Sequence, residues 1–288
     1  MSRLRTIHNP LSDDIAPLDS QVVISEDPLP KIGSHSWLIC GKPGTGKSTL
    51  LLGALTSKKS NWYAKKSFDN LFLCSPSARR DTKFDNMVAE LSSEGHYWDT
   101  FNERILNEIL DEVDEYNDEY RHDMEEWEKS KETSPDQPYY TREIGKRRDG
   151  KLIIKKIYVE RELPRHCLIL DDVVNLLPKS TQTSKINDLY CNHRHKKLCI
   201  ITVSQVYNKL NPIIRRGSNM MSVFHTDNKK EYEAIENDLA VDNDMFKRVY
   251  DFATDKMNSF LHVQLCGARP LYFKKFDKIV RDSENPHP

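Results

Sequence analysis

The stretch Gly41-Lys42-Pro43-Gly44-Thr45-Gly46-Lys47-Ser48-Thr49 has the residue types and spacing to hold a chain of phosphates. It fits the pattern G-x-x-x-x-G-K-[ST], in which glycines let the backbone curl until successive N–H groups face phosphate oxygens. A helix starting at the end of such a loop adds the positive end of its dipole at the same spot. Lys47 is placed to reach the β- and γ-phosphates, and Ser48 to offer a hydroxyl to Mg²⁺. The flanks agree with this reading. Trp37-Leu38-Ile39-Cys40 reads as a buried strand entering the loop, and Leu50-Leu51-Leu52-Gly53-Ala54-Leu55 as a helix leaving it. The ligand implied is a nucleoside triphosphate.

A second constellation lies far along the chain, where the apolar run Leu168-Ile169-Leu170 ends in Asp171-Asp172. A strand finishing in two carboxylates supplies what the phosphate loop lacks. Asp171, at the strand tip, is expected to hold Mg²⁺ beside Ser48, directly or through water. Asp172 is then placed to orient or deprotonate the attacking water. The next apolar run, Leu198–Val203, ends in Ser204-Gln205. Gln205 is neutral, so it can sense phosphate without repelling it. Just before that run sits the basic cluster Asn192-His193-Arg194-His195-Lys196-Lys197. It reads either as cationic capping of a helix C-terminus or as an arginine finger, with Arg194 reaching a neighbouring subunit's γ-phosphate.

These residues need a scaffold, and the chain of 288 residues is long enough for one large α/β domain, or one with a sizeable insertion. Five short apolar runs, Trp37–Cys40, Leu71–Cys74, Cys167–Leu170, Leu198–Val203 and Met220–Phe224, read as buried parallel strands. Most are separated by segments able to form crossover helices. Phe260–Leu265 and Leu271–Phe273 read as an antiparallel hairpin at the sheet edge. Residues 1–33, rich in Pro and Asp, are expected to form an N-terminal arm, and residues 34–288 a single domain interrupted by an insertion over 77–165.

Within the insertion, residues ~101–131 carry a helical stripe of Leu106, Leu110, Val113, Tyr116, Tyr120, Met124 and Trp127. The opposite face is acidic, with Asp111, Glu112, Glu115, Asp118, Glu119, Glu125 and Glu126. This is a surface helix or a contact between ring subunits. A basic stretch follows, with Arg142, Lys146, Arg147, Arg148, Lys151, Lys155 and Lys156. Leu152-Ile153-Ile154 and Ile157-Tyr158-Val159 look like strand pieces of a basic hairpin there. It is either solvated or laid against a phosphate backbone.

Net charge is −1 and charged residues make up 30% of the chain, with a mean hydropathy of −0.69. So even a balance gives no global signature for nucleic acid, and any DNA contact must come from a local patch. No apolar run approaches the ~20 residues of a membrane-spanning helix. The first ten residues carry no hydrophobic segment, which argues against a secretory signal. Of six cysteines, Cys40, Cys74, Cys167 and Cys199 fall in the strand runs and read as small buried apolar groups. With no C-x-x-C pair, reduced thiols fit best. Cys191-x-His193-x-His195 is a weak zinc signature, being one tight cluster with no distant partner pair.

A phosphate loop, a long insertion, a strand ending in Asp171-Asp172, then Arg194-His195 before a strand ending in Ser204-Gln205, and Arg215-Arg216 after it, resembles the FtsK–HerA superfamily. Within that superfamily the order is most similar to the poxvirus-type genome-packaging ATPases of large DNA viruses, virophages and related transposons. The match covers roughly residues 35–225. The resemblance implies an α/β fold: a P-loop NTPase (RecA/FtsK-like) three-layer sandwich with a mainly parallel central sheet. It implies ATP and Mg²⁺ as ligands, and an ATP-driven translocase that moves double-stranded DNA into a preformed capsid. The partners implied are a homo-oligomeric ring, pentamer or hexamer, and a capsid vertex or portal protein, with no membrane. The setting implied is host cytoplasm or viral factory, or the virion itself. Carried over, Gly41–Thr49 bind the nucleotide, Ser48 and Asp171 the metal, and Lys47, Asp171, Asp172 and Gln205 act in hydrolysis. Arg194, Arg215 or Arg216 would be the trans-acting finger. Two departures stand out. The acidic pair is Asp-Asp where many members have Asp-Glu, which shortens the base's reach. Lys42 is an extra cation in the loop that could contact the γ-phosphate in cis. Another DNA-translocating or helicase-type ATPase, a nucleotide-dependent scaffold with low turnover, and a small-molecule kinase are the competing readings.

Overall fold

The computed structural model describes residues 28–29, 34–56, 68–146, 151–177, 184–239, 242–266 and 269–279. Most of the N-terminal arm lies outside them, as do Arg147 and Arg148. The strands are β1 (Ser36–Cys40), β2 (Asn70–Cys74), β3 (Tyr97–Trp98), β4 (Tyr140–Lys146), β5 (Leu152–Ile157), β6 (His166–Asp171), β7 (Leu198–Ser204), β8 (Met220–Phe224), β9 (Phe260–Gln264), β10 (Leu271–Lys274) and β11 (Asp277–Lys278). The helices are α1 (Lys47–Thr56), α2 (Asp85–Glu94), α3 (Glu103–Thr133), α4 (Lys185–Asn192), α5 (Pro212–Gly217), α6 (Lys229–Leu239) and α7 (Asn243–Ala253).

Nine strands make one sheet, in the order β11-β10-β9-β8-β1-β7-β6-β2-β3. All five predicted apolar runs are strands of it. β1, β2, β6, β7 and β8 pair in parallel with their neighbours among these five. β8–β9, β9–β10 and β10–β11 are antiparallel, so the C-terminal hairpin forms the edge expected of it. Every residue of β1, β6, β7 and β8 is buried. Both faces of a parallel sheet are covered, which is why these runs read as continuously apolar rather than alternating. One face packs on α1 and α2 through Ile39, Leu51, Ala54, Leu91, Ile169 and Ile201. The other packs on α3 to α7 through Leu38, Ile109, Leu168, Leu189, Ile200 and Phe246. The result is a three-layer sandwich.

Register decides where chemistry can occur. Cys40 lies opposite Ser204, Asp171 opposite Val203, and Cys74 opposite Leu170. Four strand tips therefore end in line, and the residues just past them share one edge: Gly41 after β1, Ser75 after β2, Asp172 after β6 and Gln205 after β7. The carboxyl edge of a parallel sheet is where open α/β folds bind ligands.

The insertion departs from expectation in three ways. First, it adds a strand to the main sheet: β3 pairs in parallel with β2, and two residues are too few to register as periodicity. Second, the buried stripe of α3 is Ile105, Leu106, Ile109, Val113, Asn117, Asp123, Trp127 and Ser130. Leu110, Tyr116, Tyr120 and Met124 are only partly buried, because the middle of the helix buries polar side chains that have partners. Asn117 donates to the Lys196 carbonyl at 2.9 Å. Asp123 accepts from Arg161 at 2.6 Å and Arg142 at 3.0 Å. Third, the hairpin pairs β4 with β5, Tyr140 opposite Ile157, rather than two pieces within 152–159. Its cations are partly occupied at home. Besides Arg142 on Asp123, Lys156 Nζ sits 3.8 Å over the Tyr139 ring. Ile144 and Ile154 are 60% and 62% exposed, so the hairpin presents apolar as well as basic side chains.

A buried network ties the described end of the arm to the sheet. Trp37 Nε1–H donates to Ser222 Oγ at 3.0 Å, the Ser222 hydroxyl pairs with His262 Nδ1 at 2.9 Å, and His262 Nε2 lies 2.7 Å from the Pro28 carbonyl. Burial holds His262 neutral and lowers its pKa to about 4. Burial likewise lowers His166 to about 4, with Lys197 nearby reinforcing the shift and Asp69 opposing it. Both histidines titrate near 6.5 in an unfolded chain, so below that pH the unfolded state takes up protons the fold refuses. Stability therefore falls as pH drops from about 6.5 towards 4. Each histidine contributes about 2 kcal/mol of loss between pH 7 and pH 5. Urea midpoints at the two pH values check this, and His262→Gln should remove about half of the difference, His166 supplying the rest. A midpoint independent of pH over that range would contradict it.

Candidate active site

The phosphate loop links β1 to α1. Gly44 and Gly46 have φ of 80° and 103°, a left-handed region open to glycine and strained for other residues. Gly41 is required by packing instead, since a Cβ there would meet Phe224 Cβ at 2.7 Å. The Gly41 N–H extends the ladder to the Ser204 carbonyl at 3.2 Å, which anchors the loop to β7. Lys47 is buried, and its Nζ donates to the Lys42 carbonyl at 3.0 Å. Burial lowers its pKa, while Asp172, Cys40 and Asp171 pull it back up.

The two aspartates sit differently. Asp171 is 4% exposed. Its Oδ2 accepts from the Ser75 hydroxyl at 2.7 Å and the Ser77 hydroxyl at 3.2 Å. Burial raises its pKa, with the two hydroxyls and Lys47 opposing. Asp172 has φ 54°, so the chain turns sharply at the end of β6. Asp tolerates this region better than most residues. The turn leaves the Asp172 carboxylate accepting from Gln205 Nε2 at 3.0 and 3.1 Å and from Ser77 Oγ at 3.2 Å. Lys47, Asp171, Asp172 and Gln205, four of the residues expected from sequence, are therefore one cluster. Together with the phosphate loop they lie at one edge of the sheet. Ser75 and Ser77 belong to the cluster too and escaped the sequence reading. The only signal was their place after a predicted strand.

Whether Mg²⁺ suits these residues depends on their donors. Asp171 Oδ1 accepts no hydrogen bond among the described residues, and with Ser48 it offers hard oxygen ligands of the kind Mg²⁺ takes a few at a time, keeping several waters. Among the described residues no group of three or more His, Cys, Asp or Glu is placed to hold a metal ion, Cys191, His193 and His195 included. His193 instead is buried, with Nδ1 2.8 Å from the Leu198 carbonyl.

A cavity of about 630 Å³ opens beside the loop, lined by Gly44 to Leu50 except Thr45, and by Asp81, Lys83, Phe224, Asn258, Phe260 and Lys275. Lys83, from the insertion, donates to Thr49 Oγ1 at 3.3 Å. It brings a further cation that the motif does not announce. Lys42 is tethered: its Nζ lies 2.5 Å from Asp227 Oδ2, and Asp227 also meets His225 Nε2 at 3.1 Å. Hydrogen bonds from Lys42 and His225 hold the Asp227 carboxyl below its usual range.

The arginines lie elsewhere. Arg194 is in a 3-10 turn, His193–Lys196, ahead of β7 and so at the opposite end of the sheet from the loop. Arg215 and Arg216 end α5, ahead of β8, at that same far end. Arg215 is occupied, its Nη1 2.6 Å from Asp238 Oδ2 and its guanidinium 5.1 Å from the Tyr207 ring centroid. Arg216 is 77% exposed. None of the three reaches this chain's own phosphate loop.

No protein-family model and no curated protein matches the chain. Several solved structures resemble its fold. The DNA-packaging ATPase B204 from Sulfolobus Turreted Icosahedral Virus is 15% identical, over 83% of this chain and 96% of its own, with a TM-score of 0.47. The pCW3 conjugation coupling protein TcpA is 14% identical, over 85% of this chain and 61% of its own, with a TM-score of 0.44. The Type VII secretion ATPase EccC of Thermomonospora curvata is 14% identical, over 86% of this chain and 26% of its own, also at 0.44. No residue's role follows from likenesses of this size.

The geometry separates binding from chemistry. Lys47→Ala should abolish binding of a fluorescent ATP analogue. Asp172→Asn should keep that binding and lower turnover about 10²–10⁴-fold, the range of a lost general base. Equal effects of the two substitutions on binding would contradict the separation.

Proposed function

We propose that the protein hydrolyses ATP and uses it to move double-stranded DNA into a preformed viral capsid, working as a homo-oligomeric ring docked on a capsid vertex or portal protein. The observation that carries the hydrolytic part is the contact of Asp172 with Gln205 and Ser77 at strand tips in line with the Lys47 loop. The γ-phosphate of a bound ATP lies at the end of that loop, and a water beside Asp172 can give up its proton there as it attacks phosphorus. Gln205 holds Asp172 through Nε2, while its Oε1, which has no partner among the described residues, can accept from the same water. Lys47 and the loop N–H groups balance charge on the β- and γ-oxygens. Ser48 and Asp171 would hold a bound Mg²⁺, which would supply further neutralisation of phosphate charge.

The motor part rests on the order of motifs, and the position of the arginines is compatible with it. A residue acting on a neighbour's phosphate has to lie away from its own. Arg194 and the exposed Arg216 both do, whereas Arg215 is committed to a buried pair whose loss costs about 3–5 kcal/mol. A ring of this kind turns over ATP faster on double-stranded DNA, and its rate rises more than linearly with protein concentration. Steady-state phosphate release, with and without duplex DNA across a concentration series, tests both. A linear, DNA-independent rate from a monomer would sink the motor.

A further inference from the structure

The turn Ser75-Pro76-Ser77, at the tip of β2, is held more firmly than hydrolysis by the motif residues alone would require. The Ser75 N–H donates to the Trp98 carbonyl at 2.9 Å. Tyr97 Oη–H donates to the Ser75 carbonyl at 3.0 Å. Both partners belong to β3, the short strand that the insertion adds, so the insertion clamps this turn from outside. Inside, Ser75 is fully buried, and its Oγ accepts from the Ala78 N–H at 3.0 Å. That leaves its one proton for Asp171 Oδ2, at 2.7 Å. Ser77 is placed between the two acids. Its Oγ is 3.2 Å from Asp171 Oδ2 and 3.2 Å from Asp172 Oδ2, and 3.3 Å from Ser75 Oγ.

A hydroxyl has one proton to donate. With Asp171 already served by Ser75, the acceptor that gains most from Ser77 is Asp172. We propose that Ser77 is a positioning residue for hydrolysis: together with Gln205 it fixes the Asp172 carboxylate in the orientation that meets the attacking water. Gln205 Nε2 spans both carboxylate oxygens, at 3.0 and 3.1 Å, and Ser77 Oγ adds a second donor to Oδ2 at 3.2 Å. The β3 clamp holds the Ser75 backbone of the turn that carries Ser77. This rests on the reading of Asp172 as the hydrolytic base.

The test uses the full chain and measures three things on Ser77→Ala, Ser77→Thr and Asp172→Asn: the dissociation constant of a fluorescent ATP analogue, single-turnover cleavage of ATP, and the urea midpoint. Ser77→Ala is expected to cleave about ten-fold or more slowly, with analogue affinity and urea midpoint unchanged. Ser77→Thr keeps the hydroxyl and should recover most of the rate. An unchanged rate in Ser77→Ala, while Asp172→Asn is inactive, overturns the inference and leaves the base assignment standing. A slow rate that Ser77→Thr does not recover, or one accompanied by a lower midpoint, overturns it in favour of a packing role. Full cleavage by Asp172→Asn overturns the base assignment and the inference together.

Discussion

Charges of both signs are kept from water at one edge of this sheet, and the surrounding structure answers what that costs. An unpaired buried ion is expensive, so it is tolerated only with partners close at hand. Lys47 has the Lys42 carbonyl, and Asp171 has the Ser75 hydroxyl, with Ser77 Oγ 3.2 Å away. The parallel register supplies those partners, since it ends β1, β2, β6 and β7 in line. A one-residue slip in any of these strands would invert its faces. Core packing and site assembly are thus one constraint. The apolar side chains that fix the register also fix the distance between the phosphate loop and the carboxylates.

A second tier of contacts joins the loops behind the site. Glu231, buried in the first turn of α6, accepts from the Tyr207 N–H at 2.6 Å and from the Thr226 hydroxyl at 2.8 Å. It thereby links the segment after Gln205 to the segment that carries Asp227. Tyr207 in turn donates to Asp238 at 3.1 Å, the carboxylate that holds Arg215. A continuous set of contacts therefore runs from Gln205 at one end of the sheet to α5 and Arg216 at the other. Lys42 enters the same tier through Asp227. An exposed pair of this sort is weak, so the extra lysine of the loop is only loosely tethered.

Much of this was legible in the sequence. The five parallel strands were readable because a doubly covered sheet needs uninterrupted apolar runs. The phosphate loop, Asp171, Asp172 and Gln205 were readable because each follows such a run. What escaped depended on tertiary partners. β3 is two residues long and exists only because β2 has a free edge. Ser75 and Ser77 carry no pattern of their own. The face of α3 was misjudged at Asn117 and Asp123, polar residues buried because Lys196, Arg142 and Arg161 meet them there. The same pairing takes Arg142 from the cations of the hairpin, which composition alone counted as available to DNA.

The central claim is that this edge of the sheet cleaves the triphosphate it binds. Single-turnover incubation of the purified wild-type protein, in excess over γ-labelled ATP and with Mg²⁺ present, tests it most directly. Labelled inorganic phosphate should be released, and its release should stop when Mg²⁺ is chelated. Tight binding of ATP with no phosphate released, with or without duplex DNA, would contradict it and leave a nucleotide-dependent scaffold.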